Sequence, residues 1–72
     1  MRRQVTFRFP TDTEVRYPRE APKRGERLTR RGGNWVVIGL ERDEAGLEIA
    51  LCVRFADYVR QARAEAAEKR AA

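Results

Sequence analysis

The chain has no histidine and no serine, and its 72 residues hold one cysteine, one methionine and one tryptophan. Without an imidazole to accept a nucleophile's proton near neutral pH, Ser-His-Asp and Cys-His arrangements are excluded. Structural zinc needs four Cys or His ligands, and Cys52 alone cannot supply them. The adjacent Asp43 and Glu44 lack the alternating oxygen ligands and the later glutamate of a calcium loop, so they read as turn residues. No metal and no cofactor are expected. A lone cysteine forms no internal disulfide, and Arg2 and Arg3 lead into a strand-like alternation, not into the apolar run of a signal peptide. The chain is therefore expected to be cytoplasmic. Its apolar runs, Trp35 to Ile38 and Ile49 to Val53 among them, fall far short of the ~18 residues of a membrane span, so no membrane partner is expected.

What is present is charge. Asp, Glu, Lys and Arg make up 38% of the residues, with 16 basic and 11 acidic side chains and a formal net charge of +5. The apolar residues are nevertheless too regularly placed for a disordered tail. A chain this short buries only about 60% of the surface its unfolded form exposes, enough for one modest core in a single domain.

Apolar periodicity sets the expected elements. Val5, Phe7 and Phe9 alternate with polar residues up to Pro10, giving a strand over about 3–9. Thr11-Asp12-Thr13 has turn chemistry, and Val15 and Tyr17 alternate over a second strand at about 13–17, so the two form a hairpin. After the Pro-rich, charged stretch from Pro18 to Gly25 comes a strand at about 26–30. Gly32-Gly33 is expected to supply the positive φ values of a type I′ turn. The return strand, about 34–42, carries Trp35-Val36-Val37-Ile38 and is expected to be covered on both faces. A four-residue loop at Asp43–Gly46 sets Arg42 opposite Leu47. That register pairs Leu40 with Ile49, Ile38 with Leu51 and Val36 with Val53 in a fifth strand at about 47–53. On the other face Trp35 and Val37 lie near Ala50 and Cys52. A helix at about 55–69, apolar at Phe55, Tyr58, Val59, Ala62 and Ala66, is the expected cover. Beyond about Ala64 it offers only alanine and is expected to project.

The expected fold is therefore mainly β with one C-terminal α-helix, a small curled five-stranded antiparallel sheet or half-barrel capped by the helix. The segment from Pro22 to Leu40, PKRGERLTRRGGNWVVIGL, resembles the opening of SH3-like small β-barrels, where a Gly-acidic turn starts a strand and a hairpin leads to a W-V-V strand. The resemblance covers about a quarter of the chain and implies architecture. No ligand-binding residue of the family carries over, and the acidic residue after Gly25 is Glu26.

Charge is uneven along the chain. Residues 1–31 hold ten basic and four acidic side chains, and residues 32–72 hold six basic and seven acidic ones. The whole positive excess thus sits in the first half. Arginine forks bind phosphates bidentately and release counterions as they do so. The candidate nucleic-acid-binding residues are Arg24, Arg27, Arg30 and Arg31, with Arg8 and Arg16 on an adjoining sheet face. Arg30 and Arg31 lead because Gly32-Gly33 can form an anion-accepting concavity beside them. Fourteen of the 16 basic residues are arginine in an alanine-rich chain, a pairing that a GC-rich coding sequence also produces, and on that reading the charge is plain surface. Trp35, Tyr58 and Cys52 read as packing residues, and Phe9 and Tyr17 as the aromatics nearest the surface.

Two functions are consistent with these residues. One is a small non-enzymatic basic module contacting RNA or DNA backbone with little sequence specificity. The other is a protein–protein adaptor or accessory subunit using a sheet edge or the C-terminal helix, either as a monomer or as a homodimer through that helix.

Overall fold

Alternation at Val5–Arg8 becomes strand β1, and the matching alternation at Thr13–Arg16 becomes β2. The remaining elements are β3 (Arg27–Arg30), β4 (Gly33–Arg42), β5 (Glu48–Arg54) and helix α1 (Phe55–Ala71). The computed structural model describes residues 3–71. The five strands form one curled sheet, a half-barrel, in the order β2-β1-β5-β4-β3. Every expected element is present, with strand ends within one or two residues of those expected.

One ladder departs from the expected antiparallel sheet. β1 and β5 run parallel, with Val5 facing Glu48 and Phe7 facing Ala50. The sheet is therefore mixed. A period-2 pattern specifies which face is buried but not strand direction, and the long excursion through β2, β3 and β4 lets β1 dock beside β5 without a tight turn.

The core also has a different lid from the expected one. Val5, Phe7 and Phe9 pack with Trp35, Val37, Ala50 and Cys52 in one cluster, with Leu28 against it. The curl of the sheet brings β1 over the inner face that was expected to need the helix. Phe9 meets the Trp35 ring edge-on, with centroids 4.9 Å apart and planes at 76°. The indole Nε1–H donates to the Arg30 carbonyl at 3.4 Å. The helix cannot reach this face, because α1 starts at Phe55 immediately after β5 ends at Arg54. Its first turn lies outside: Arg27, directly opposite Val36 in the ladder, stacks over the Phe55 ring at 4.0 Å. Phe55 and Val59 are half-buried, while Arg60 to Lys69 are exposed throughout, so the helix projects earlier than expected.

The β4–β5 register is as expected at its helix end, where Val36 faces Val53 and Val37 faces Cys52. Beyond Ile38 it slips by one, so that Gly39 faces Leu51, Leu40 faces Ala50 and Arg42 faces Glu48. The slip continues into the hairpin loop. Gly46 takes φ +84° as expected, but the Asp43 N–H donates to the Leu47 carbonyl at 3.0 Å and its carboxylate accepts the N–H groups of Ala45 and Leu47, each at 2.9 Å, so Asp43, not Arg42, faces Leu47. Ile38 becomes the extra residue of a bulge that absorbs the difference. It is consequently half exposed instead of covered.

The Arg30–Gly33 hairpin also turns one residue earlier than expected. Its central residues are Arg31 (φ +50°) and Gly32 (φ +75°), and Gly33 already faces Arg30 in the ladder. Gly33 is reserved for packing: a Cβ there would lie 3.3 Å from the Trp35 Nε1.

Cys52 is a buried free thiol whose burial pushes its pKa up to about 11, so it stays neutral and unreactive at neutral pH. Trp35 carries the largest share of the inner face. Replacing Trp35 with Ala is expected to cost about 3–5 kcal/mol, measured as a fall in the urea midpoint, with a marginally folded product. A midpoint unchanged from the parent would show that the indole is not the centre of the core.

Candidate anion-binding surface

The six arginines singled out by charge separate into two groups. Arg30 points inward. Its side chain is only 6% exposed, and its guanidinium grips Asp12 through both terminal nitrogens, Nη1 reaching Oδ1 at 3.0 Å. Its Nε lies 3.7 Å from Glu14 Oε1, and its guanidinium carbon sits 4.0 Å above the Phe9 ring. Arg16 binds Glu14 and lies 5.6 Å over the Phe7 ring. Arg30, expected to lead an exposed site, is thus buried against Asp12 and Glu14, and Arg16, partly exposed, is paired with Glu14. A residue before a turn looks exposed in sequence, but strand alternation places Arg30 on the same inner face as Leu28. There its charge is neutralised by carboxylates from the opposite edge of the sheet.

The geometry of this latch is informative. β2 and β3 are the two edge strands, and no backbone ladder joins them. Arg30 on β3 reaches Asp12 at the β1–β2 turn and Glu14 on β2, closing the half-barrel through side chains. The turn itself is pinned by the Phe9 N–H donating to the Asp12 carbonyl at 2.8 Å.

The second group is exposed. Arg24, Arg27 and Arg31 lie on β3 and its flanking loops, and Arg8 is exposed on β1. Arg24 Nε donates to the Ile38 carbonyl at 3.2 Å, and Arg27 rests on Phe55. Arg31 is 80% exposed, and its nearest carboxylate oxygen, Asp12 Oδ2 at 3.9 Å, is already held by Arg30. Neither Arg24 nor Arg27 pairs with a carboxylate among the described residues. The structure thus brings Arg24, Arg27 and Arg31 onto one edge and leaves Arg8 apart, two strands away across β5 and β4.

Composition did not single out Arg54, at the end of β5. Its guanidinium lies 5.2 Å over the Trp35 ring, and it lines a shallow concavity with Arg31, Gly32 and Thr11 at the hairpin tip. The register that places Arg54 directly opposite Trp35 was the available signal.

Phe9 belongs to the core, and Tyr17 is exposed. Among the described residues no three His, Cys, Asp or Glu side chains are grouped so as to hold a metal ion, and no helix is long and apolar enough to cross a membrane. No family model, curated protein or solved structure matches the chain.

Hydrogen bonds from Arg30 hold the Asp12 carboxyl below the ordinary carboxylate range, and those from Arg16 do the same for Glu14. Because both folded-state values are depressed, their stabilisation is complete above the unfolded range of about 4 and is lost as pH falls through the folded values. Thermal unfolding followed by circular dichroism is expected to be level from pH 7 to 5 and to weaken below pH 4. Asp12→Asn should lower stability at pH 7 and flatten that acid limb. An unchanged limb would remove the latch from the account of stability.

Proposed function

We propose that the chain is a small non-enzymatic binding module, an SH3-like half-barrel, that contacts the phosphate backbone of nucleic acid with little sequence specificity. The observation that carries this reading is the row Arg24, Arg27 and Arg31 along β3, exposed while the neighbouring Arg30 consumes the local carboxylates. Exposed guanidinium groups not held by carboxylates bind phosphate oxygens by charge and by forked hydrogen bonds, and such contacts position a protein without reading bases. The conformation of Arg31 supports the same reading. A non-glycine residue at φ +50° is strained, and Gly or Asn would occupy the turn at lower cost. Retaining arginine at the exposed tip trades stability for a cation in that place. Arg54 and Arg8 extend the positive surface. A cytoplasmic setting belongs to this reading, supported by a single, buried, unpaired cysteine.

A second reading, an adaptor docking on another protein, is favoured by Val15 on edge strand β2 and Tyr17 just after it, which remain about half exposed. It predicts association that is insensitive to salt.

Fluorescence anisotropy with labelled RNA and duplex DNA at two salt concentrations tests the first reading. Affinity is expected to fall steeply with salt, and Ala at Arg24, Arg27 and Arg31 should each reduce the slope of log K against log salt by about one. Arg31→Gly should raise stability by about 1 kcal/mol while weakening binding. No binding of any nucleic acid at low salt would sink the proposal.

A further inference from the structure

Helix α1 holds 17 residues, about 25 Å at 1.5 Å per residue. From Arg60 onward every described side chain is exposed, so most of this length stands clear of the sheet. Its charges are sorted by side. At about 100° per residue, Arg60, Arg63 and Arg70 fall within an arc of about 80°, and Asp57, Glu65 and Glu68 fall within a similar arc on the far side. Lys69 lies between the two.

The sheet fixes which side faces out. Tyr58, Gln61, Ala62 and Glu65 line a shallow groove against Arg24 and Ile38, so Glu65 is on the side turned toward the body of the domain, while Asp57 and Glu68 are exposed. The opposite side has a shallow trough lined by Arg63, Ala66, Ala67 and Arg70, all from the helix itself. Arg60 is 80% exposed and touches only Asp57, at 3.5 Å across an exposed i,i+3 pair, a contact too weak to neutralise it. Ala66 and Ala67 lie beside Arg63 and Arg70 on this side and keep it slim.

We propose that the outward face of α1 is a second binding surface for duplex DNA, seated in the major groove with Arg60, Arg63 and Arg70 on the flanking phosphates. The proposal rests on the nucleic-acid reading above. The fit is one of shape and charge. An α-helix is about 10–12 Å across with its side chains, the B-form major groove is about 12 Å wide, and alanines on the approaching side allow close seating. Glu65 is on the side turned toward the domain, and no carboxylate lines the trough of Arg63, Ala66, Ala67 and Arg70. The A-form groove of duplex RNA is deep and narrow and does not admit the rod.

The test compares wild type, a helix variant (Arg60→Ala, Arg63→Ala, Arg70→Ala) and a β3 variant (Arg24→Ala, Arg27→Ala, Arg31→Ala) against duplex DNA, duplex RNA and a single strand. Alanine is the strongest helix former, so the helix variant keeps its helix, checked by circular dichroism. It is expected to lose affinity for duplex DNA by about tenfold or more and to reduce the salt slope by about one per arginine. Wild type is expected to prefer duplex DNA to duplex RNA and to the single strand. A helix variant that binds as wild type does, while the β3 variant fails, overturns this proposal and leaves the β3 reading standing. Wild type that binds no nucleic acid overturns both. Equal or tighter binding of duplex RNA or single strand overturns the groove assignment. Sedimentation showing a wild-type dimer that the helix variant abolishes would make this face an interface between copies and also overturn it.

Discussion

The half-barrel depends on one guanidinium. The curled sheet ends in two edges, β2 and β3, that no backbone ladder joins, and Arg30 spans them by holding Asp12 and approaching Glu14 from the inner face. Breaking one side of such a pair strands the other charge in a site poor in water, which is why the three residues act as a unit. The same side chain covers Phe9, whose ring meets Trp35, whose indole N–H returns to the Arg30 carbonyl. Closure, aromatic packing and hairpin geometry therefore share atoms. In a domain of this size, with a core of seven clustered residues, that sharing compensates for the small area the chain can bury.

The latch also explains the surface. Because Arg30 holds Asp12, Arg31 has no carboxylate to itself, and Arg24 and Arg27 pair with none among the described residues. The strained backbone of Arg31 puts a cation at the hairpin tip, and Gly33 is left to make room for the indole. Stability and surface charge are thus set by neighbouring residues of β3 and its flanking loops.

Small irregularities carry the rest. The Asp43 turn sets Asp43 opposite Leu47, one register step from the expected pairing, and the bulge at Ile38 absorbs the step, so that Trp35, Val37 and Cys52 still share the inner face. Without the bulge the slip would rotate one end of β4 to the wrong side of the sheet. The helix follows β5 without a linker and so stays on the outer face, where its first turn packs and the remainder projects.

Period-2 and helical spacing were enough to identify five strands, a terminal helix, a buried Trp35 and Cys52 and the left-handed Gly46, because these follow from which side chains avoid water and which backbone angles a residue tolerates. The concentration of arginine in residues 1–31 was equally legible, since charge is additive along a chain. Strand direction, the identity of the lid and the separation of Arg30 and Arg16 from Arg24, Arg27 and Arg31 were not. Each depends on which distant segment lies opposite: Asp12 meeting Arg30, β1 lying parallel to β5, and Phe9 arriving over Trp35. Local pattern assigns a residue to a face. Only the closed sheet decides what stands across from it: Arg30 meets carboxylates and fastens two edges, while Arg24, Arg27 and Arg31 stay exposed.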